Sequence, residues 1–319
     1  MKRPTQAELN PFPYSDTNRR FHTYDYFLRH RYGGKCVKIA LDADMTCPNI
    51  DGTRGCGGCI YCSSDGSGNG LGGKMSLSEQ YAEGRRRISG KWDTSRCIPY
   101  LQAHTNTYAP IERLRGIFDE LLALPDKVGV NIATRADCID SENIKLLKDI
   151  SKQTDLTIEL GLQSVFDSTA ERINRCHTYE EFLRGFYLIR EHCPDALICV
   201  HLINGLPGES LEMMIESARR VGELGSDQMK LHLLHVLRGT RLFEMYESGE
   251  YIPMSLEEYV DAVVCQLEVI PPETVICRIT GDGDSASLVA PMWSRKKFAV
   301  ADEIDKRLYE NNSWQGKAL

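Results

Sequence analysis

Residues Cys47 to Cys62 read CPNIDGTRGCGGCIYC, so that four thiols, those of Cys47, Cys56, Cys59 and Cys62, share sixteen residues. Gly52, Gly55, Gly57 and Gly58 let the backbone fold back and bring those sulfurs together, because glycine reaches positive φ without steric cost. Large apolar residues are scarce here. Packing alone therefore does not hold the stretch, and a bound ion or cluster is the first expectation. Four thiolates can close a tetrahedral zinc site. The C-x2-C-x2-C run of Cys56, Cys59 and Cys62 also echoes ferredoxin spacing, without the further cysteine and proline of that motif. If three thiolates hold a four-iron cluster, one iron stays open to a small molecule, as an open position does in a catalytic metal site. Spacing leaves zinc and iron–sulfur chemistry both open, and a disulfide framework ranks last on grounds of compartment.

The stretch follows a short β-prone run, Cys36–Leu41, and the same grammar of apolar run, polar loop and helical pattern recurs along the chain. Further strands are expected at Cys97–Gln102, Val128–Thr134, Leu156–Leu162, Leu197–Ile203 and Met229–Leu234. Helices fit between them at Ser78–Ser89, Pro110–Leu124, Ser141–Gln153, Tyr179–His192 and Ser210–Leu224. In Pro110–Leu124, the side chains of Ile111, Leu114, Ile117, Phe118, Leu121 and Leu122 make one apolar face, with proline near the start. This is βαβ alternation. Six strand–helix units fall short of the eight of a closed barrel, so the expected fold class is α/β, a partial open (β/α)6 barrel. Beyond Arg241 the pattern changes to helices at Ser255–Val269 and Arg295–Tyr309 around a strand-like Thr274–Thr280. The expected organisation is an N-terminal arm over 1–34, the barrel over 35–240 and a C-terminal α/β extension over 241–319 packed on it.

The 319 residues carry 38 basic and 45 acidic side chains, a net charge of −7, so no global field favours polyanions. The N-terminus has no apolar signal-like core and no apolar run is long enough to span a membrane, so the cytoplasm is the expected compartment and no membrane partner is expected. Twelve cysteines suit a reducing compartment. Cys36, Cys138, Cys199 and Cys277 lie in apolar or strand-like contexts and read as packing residues. In the arm, Tyr14, Phe21, Tyr24, Tyr26, Phe27 and Tyr32 interleave with Arg19, Arg20, Arg29 and Arg31. Such mixing suits nucleic-acid contact, or rings packed on the body with their charges facing water.

Parallel α/β architectures place chemistry at the carboxyl ends of strands. The cysteine loop follows the first strand, and His104, Thr105, Asn106, Thr107 and Tyr108 follow the second. Thr134, Arg135 and Asp137 follow the third. The fourth carries Glu159, Gln163 and Ser164, and strand alternation puts Glu159 and Gln163 on one face, as for a shared interior site. The fifth ends in HLINGLPGES, where Gly205, Pro207 and Gly208 shape a tight turn. The sixth offers Lys230, His232 and His235; alternation splits the two histidines unless His235 lies past the strand.

Taken together, CPNIDGTRGCGGCIYC, QAHTNTYAP, ELGLQS, INRCH, HLINGLPGE and KLHLLHVLRGT resemble the radical S-adenosylmethionine (SAM) enzymes. The likeness is to a bacterial subgroup related to the catalytic subunit of Elongator, and more distantly to coproporphyrinogen dehydrogenase and the tRNA methylthiotransferases. It covers about residues 20 to 297. It implies a [4Fe–4S] cluster on Cys47, Cys59 and Cys62, with Cys56 a spare thiol and Tyr61 flanking the adenine of SAM. The motif that receives the SAM amino group falls at Thr105, Asn106 and Thr107, where the family's usual Gly-Gly-Glu is absent. Arg135, Gln163 and Arg175 are the implied partners of the SAM carboxylate and ribose, His201 stands where relatives have an acidic ribose ligand, and the backbone from Asn204 through Gly205 to Gly208 lies against the adenine. The implied mechanism is electron transfer from the reduced cluster into SAM, giving methionine and a 5′-deoxyadenosyl radical that abstracts hydrogen from a substrate carbon.

The resemblance implies a tRNA substrate, with modification of the C5 side chain of the wobble uridine from carboxymethylaminomethyl to aminomethyl, and an electron donor such as flavodoxin or ferredoxin. Arg19-Arg20, Arg29-His30-Arg31, Arg85-Arg86-Arg87 and Arg295-Lys296-Lys297 are the basic clusters available to phosphates. A radical SAM enzyme for a small metabolite or peptide is the alternative, and a zinc-stabilised binding module is the non-enzymatic one. Lys230, His232 and His235 are the candidates for catalytic proton transfer, with Arg278, Asp282 and Asp284 as further candidates for substrate contact.

Overall fold

A computed structural model describes residues 10–63, 75–281, 283 and 286–319. In chain order it contains α1 (Tyr24–Tyr32), β1 (Val37–Leu41), α2 (Leu77–Ser89), β2 (Cys97–Leu101), α3 (Ile111–Ala123), β3 (Gly129–Thr134), α4 (Asn143–Ser151) and β4 (Asp155–Gln163). Then come α5 (Asp167–Arg172), α6 (Tyr179–His192), β5 (Leu197–Asn204), α7 (Leu211–Glu223), β6 (Gln228–Leu233), β7 (Val236–Leu237) and α8 (Arg241–Glu247). The chain closes with α9 (Leu256–Glu268), β8 (Val275–Arg278), β9 (Leu288–Ala290) and α10 (Lys297–Glu310). Seven strands form one sheet in the order β1-β2-β3-β4-β5-β6-β8. Sheet order therefore follows sequence order, with a helix in each of the first five crossovers, which is the α/β topology of an open (β/α)6 barrel.

Two compact units make up the chain, and the first comprises residues 28–162 and 174–199. Its ladders are parallel, from Val37↔Cys97 to Leu41↔Leu101 between β1 and β2, and from Gly129↔Asp155 to Thr134↔Leu160 between β3 and β4. Every residue of β2 and β3 is buried, as expected for parallel strands covered on both faces. In α3 the buried residues Leu114, Phe118 and Leu121 are spaced by four and three, so one stripe of the helix enters the core. A capping box of Thr178 and Glu181 starts α6 and satisfies two otherwise orphaned backbone donors; Phe182, Phe186 and Ile189 then form its buried stripe.

The second unit comprises residues 10–27, 163–173 and 200–319. There β6 and β8 pair in parallel, and β7 and β9 form a separate antiparallel pair. Arg20 is buried and donates to the carbonyls of Leu308 and Ser313, at 3.4 and 3.3 Å, while Arg19 pairs with Asp305. Arg20 is thus an internal strut and Arg19 is committed to a carboxylate, which leaves neither free to meet phosphates as expected. The strand expected at Thr274–Thr280 is shorter, and the last helix begins after a 3-10 turn at Met292–Arg295.

Candidate functional site

The cysteine loop is built by its own backbone. The amides of Arg54 and Gly55 both donate to the carbonyl of Pro48, at 2.8 and 3.2 Å, and the amide of Gly58 donates to the carbonyl of Asn49 at 2.8 Å. Gly52, Gly57 and Gly58 adopt positive φ. Gly55 does not, and its role differs from the expected one: a Cβ there would strike Asn49 Oδ1 and come within 2.6 Å of Cys176 Sγ. Gly55 thus lets two loops interlock.

Cys59 is buried, Cys47 and Cys62 are half-buried, and Cys56 is exposed. Burial, together with the neighbouring sulfurs of Cys59 and Cys47, pushes the Cys62 thiol up to about 12. Three cysteine sulfurs on one loop, with the Cys62 thiol resisting ionisation beside the other two, form a donor set that a cationic centre suits. The chemistry of these sulfurs therefore fits an iron–sulfur cluster. Burial, and then the Cys59 sulfur beside it, raises the Tyr61 phenol well above its ordinary range.

The loop docks on Asn174–His177, within the INRCH motif, where Asn174 and Cys176 are left-handed. Asn174 Nδ2 donates to the carbonyls of Cys56 and Gly58 at 3.1 and 2.7 Å, and Asn49 Nδ2 donates to the carbonyl of Asn174. Asn49 Nδ2 also lies 3.6 Å from Cys59 Sγ, and Arg175 Nη1 lies 3.8 Å from the same sulfur. The remaining nitrogens of the Arg175 fork donate to Gly161 O and, at 2.9 Å, to His177 Nε2. Because that imidazole nitrogen accepts, the His177 proton sits on Nδ1, 3.1 Å from the Thr178 carbonyl. Burial, and then the Arg175 charge, holds His177 neutral, down to about 3.

Every nitrogen of the Arg135 fork is engaged: Nε and Nη2 donate to Asp137 at 2.9 and 2.8 Å, and Nη1 donates to the Arg175 carbonyl at 3.0 Å. Burial opposes the Asp137 charge, but the Arg135 hydrogen bonds and the positive charges around the carboxyl together hold it below its ordinary range. Arg54, on the cysteine loop, reaches Asp137 at 3.3 Å and Glu181 at 2.7 Å. Cys138, expected to be a packing residue, instead lines a cavity of about 600 Å³ with Thr46, Pro48, Arg54, Thr107 and Tyr108. It lies there because the 3-10 turn at Ala136–Cys138 carries it from the buried end of β3 towards the cysteine loop.

Thr105, Asn106 and Thr107 are buried after β2. Asn106 Nδ2 donates to Ala103 O and Ala133 O at 3.0 and 2.8 Å, whereas its Oδ1 is a buried acceptor with no partner. The Thr107 hydroxyl is committed to Thr134 Oγ1 and Cys138 O. Glu159 lies deeper in the same unit, accepting from Lys38 Nζ and Asn131 Nδ2, both at 2.7 Å, so it is part of a buried polar layer across β1, β3 and β4.

In the second unit Gln163 ends β4 at φ 77°. The His201 and His232 rings lie 5.2 Å apart. His235 follows the end of β6, outside strand alternation, and a Cβ at Gly281 would meet His235 Cε1 at 3.0 Å and His232 Nδ1 at 3.8 Å. Both imidazoles therefore border Gly281, and Lys230 is buried on β6. The Asn204 amide is paired with Gln266 at 2.8 Å, and Gly205 (φ 84°) accepts from Tyr251 Oη at 2.8 Å. Arg278 is exposed; Asp282 and Asp284 lie outside the described residues. Sequence reading missed Asn49, Asn174, His177 and the Arg54–Asp137 link. Only the INRCH motif signalled any of them.

The family model of the Radical SAM superfamily matches residues 50–221, and that of the Radical_SAM C-terminal domain matches residues 226–310. The uncharacterized protein YtqA of Bacillus subtilis is 44% identical over 309 residues, 97% of this chain and 95% of that one. Human Elongator complex protein 3 is 30% identical over 158 residues, 49% of this chain and 28% of that one. The solved structure of the archaeal Methanocaldococcus infernus Elp3 with an N-terminal deletion superimposes with a TM-score of 0.67 at 17% identity. That likeness is one of fold; it covers 88% of this chain and spans 64% of the other. Members of the matched family bind a [4Fe–4S] cluster and S-adenosylmethionine, and their chemistry needs a reductant. The chain belongs to the radical SAM superfamily, in a group related to Elongator complex protein 3, and is an iron–sulfur-dependent enzyme.

Proposed function

We propose that Cys47, Cys59 and Cys62 hold the [4Fe–4S] cluster and that the enzyme modifies the C5 side chain of the wobble uridine in tRNA, converting carboxymethylaminomethyl to aminomethyl. The chemistry is carried by the match of the Radical SAM superfamily model to residues 50–221, and the ligand set is supported by the burial of Cys59 and half-burial of Cys47 and Cys62, against an exposed Cys56. When bound, the cluster and S-adenosylmethionine supply an electron and a carbon-centred radical able to take hydrogen from an unactivated C–H bond.

The chain's residues bind and orient. The Asn106 Oδ1 atom, buried and without a partner, would accept from the ammonium group of S-adenosylmethionine. Arg135 and Asp137 brace the loop after β3, and Arg54 ties the cysteine loop to them. His232 and His235, bordering Gly281, move protons at the substrate, with Lys230 on β6 alongside His232. The tRNA reading is supported by the segment shared with Elongator complex protein 3 and by the exposed run Arg295, Lys296, Lys297 and Phe298, which joins cations to an aromatic ring. Mass spectrometry of tRNA nucleosides from a deletion strain tests it: the aminomethyl form of the wobble uridine should fall and its carboxymethylaminomethyl precursor should accumulate. An unchanged profile overturns the reading.

A small-metabolite or peptide substrate is the second reading. It is favoured by the net charge of −7 and by the engagement of Arg19, Arg31, Arg85 and Arg86 with acidic side chains. Binding of tRNA that weakens steeply with added salt supports the first reading, and absence of binding at low salt supports the second.

A further inference from the structure

The three thiols are not equivalent. Cys59 Sγ faces two N–H donors, Asn49 Nδ2 at 3.6 Å and Arg175 Nη1 at 3.8 Å. Among the described residues no side-chain donor is placed at the Cys47 or Cys62 sulfur. Both donors are buried, and both are held from behind. The second N–H of Asn49 is fixed by the Asn174 carbonyl, and the other Arg175 nitrogens are fixed by Gly161 O and His177 Nε2. Neither side chain can therefore turn away from the sulfur without breaking a second buried hydrogen bond.

A donor on a ligand sulfur withdraws electron density and stabilises the more negative, reduced state of an iron–sulfur centre. The guanidinium adds a positive charge that the low-dielectric surroundings leave poorly screened. We propose that Asn49 and Arg175 are positioning residues that act through Cys59 to raise the reduction potential of the cluster, bringing its reduced state within reach of a ferredoxin- or flavodoxin-class donor. The proposal rests on the reading that Cys47, Cys59 and Cys62 are the ligands.

The full chain is reconstituted anaerobically, and iron, sulfide and cluster absorbance are measured first. A wild-type protein that takes up no cluster refutes the ligand reading itself. In the loaded protein, a redox titration followed by electron paramagnetic resonance gives the potential. Asn49→Leu keeps the branched shape of the side chain and removes the donor. It should shift the reduction equilibrium about tenfold towards the oxidised state, which is about 59 mV for a one-electron couple. Arg175→Met, which loses charge as well as donor, should shift it further, and Arg175→Lys should fall between Arg175→Met and wild type. The exposed variant Lys152→Met should titrate with wild type. Loaded Asn49→Leu and Arg175→Met proteins that titrate at the wild-type potential overturn the proposal. A reading independent of the variants comes from wild-type protein grown with 15N-arginine: the reduced cluster should show a 15N hyperfine coupling, and its absence overturns the role of Arg175 even if no variant holds its cluster.

Discussion

Replacing Asp137 with asparagine tests whether the brace beneath the cysteine loop is electrostatic. The Asp137 side chain is 1% exposed and that of Arg135 is 3% exposed, and they share two hydrogen bonds of 2.9 and 2.8 Å. Asparagine fits the same volume but turns an amide NH2 towards a guanidinium, leaving a buried cation without its counter-charge. Breaking a pair of this kind costs about 3–5 kcal/mol, a large share of the roughly 5–15 kcal/mol that stabilises a typical domain. The link to Arg54 contributes little beside this, since the Arg54 side chain is 36% exposed and screened by solvent. Urea unfolding of the full chain, followed by circular dichroism, should show that loss, whereas Asp149→Asn, at an exposed pair with Lys152, should stay within about 0.5 kcal/mol. The pH dependence carries a sign. The Asp137 carboxyl is lowered in the folded protein, so its contribution is complete above the unfolded value of about 3.9 and is lost as pH falls through the lower folded value. Wild type should shed this stability below about pH 4, and Asp137→Asn should lack that component. An Asp137→Asn protein within about 1 kcal/mol of wild type refutes the reasoning.

Replacing Cys47, Cys59 or Cys62 with alanine should abolish cluster absorbance and cleavage of S-adenosylmethionine, whereas Cys56→Ala should keep both, as checked by iron content and product chromatography. Gly55→Ala puts a methyl group against Asn49 Oδ1 and Cys176 Sγ; overpacking of this kind costs about 1–3 kcal/mol, and limited proteolysis should find the cysteine loop more readily cleaved. Phe118→Ala empties part of the stripe that α3 buries and should cost about 3–5 kcal/mol in a denaturant titration.

The elements that position the site were legible because local signals agreed. The strands β2 and β3 are β-prone runs that are mostly apolar, the Thr178 and Glu181 pair announces α6, and the stripe through Leu114, Phe118 and Leu121 announces α3. The helix Tyr24–Tyr32 was not legible. Its rings and charges show no clean apolar stripe, and only Leu28 within it is buried. The cysteine loop declared itself by composition, but its partners did not. The pairing of Arg135 with Asp137 could not be read from the motif, and Arg20 reads as a surface charge until the carbonyls of Leu308 and Ser313 are seen around it. Such burial depends on partners far away in sequence, which no local pattern encodes.

Asn49 and Asn174, which join the cysteine loop to its dock, stand 125 residues apart in the chain. Closing so long a span is entropically costly until the intervening strands have paired. The thiols therefore acquire their final setting only after β1 to β4 are assembled. A chain truncated before Asn174 has the cysteines without the dock that their loop is bonded to.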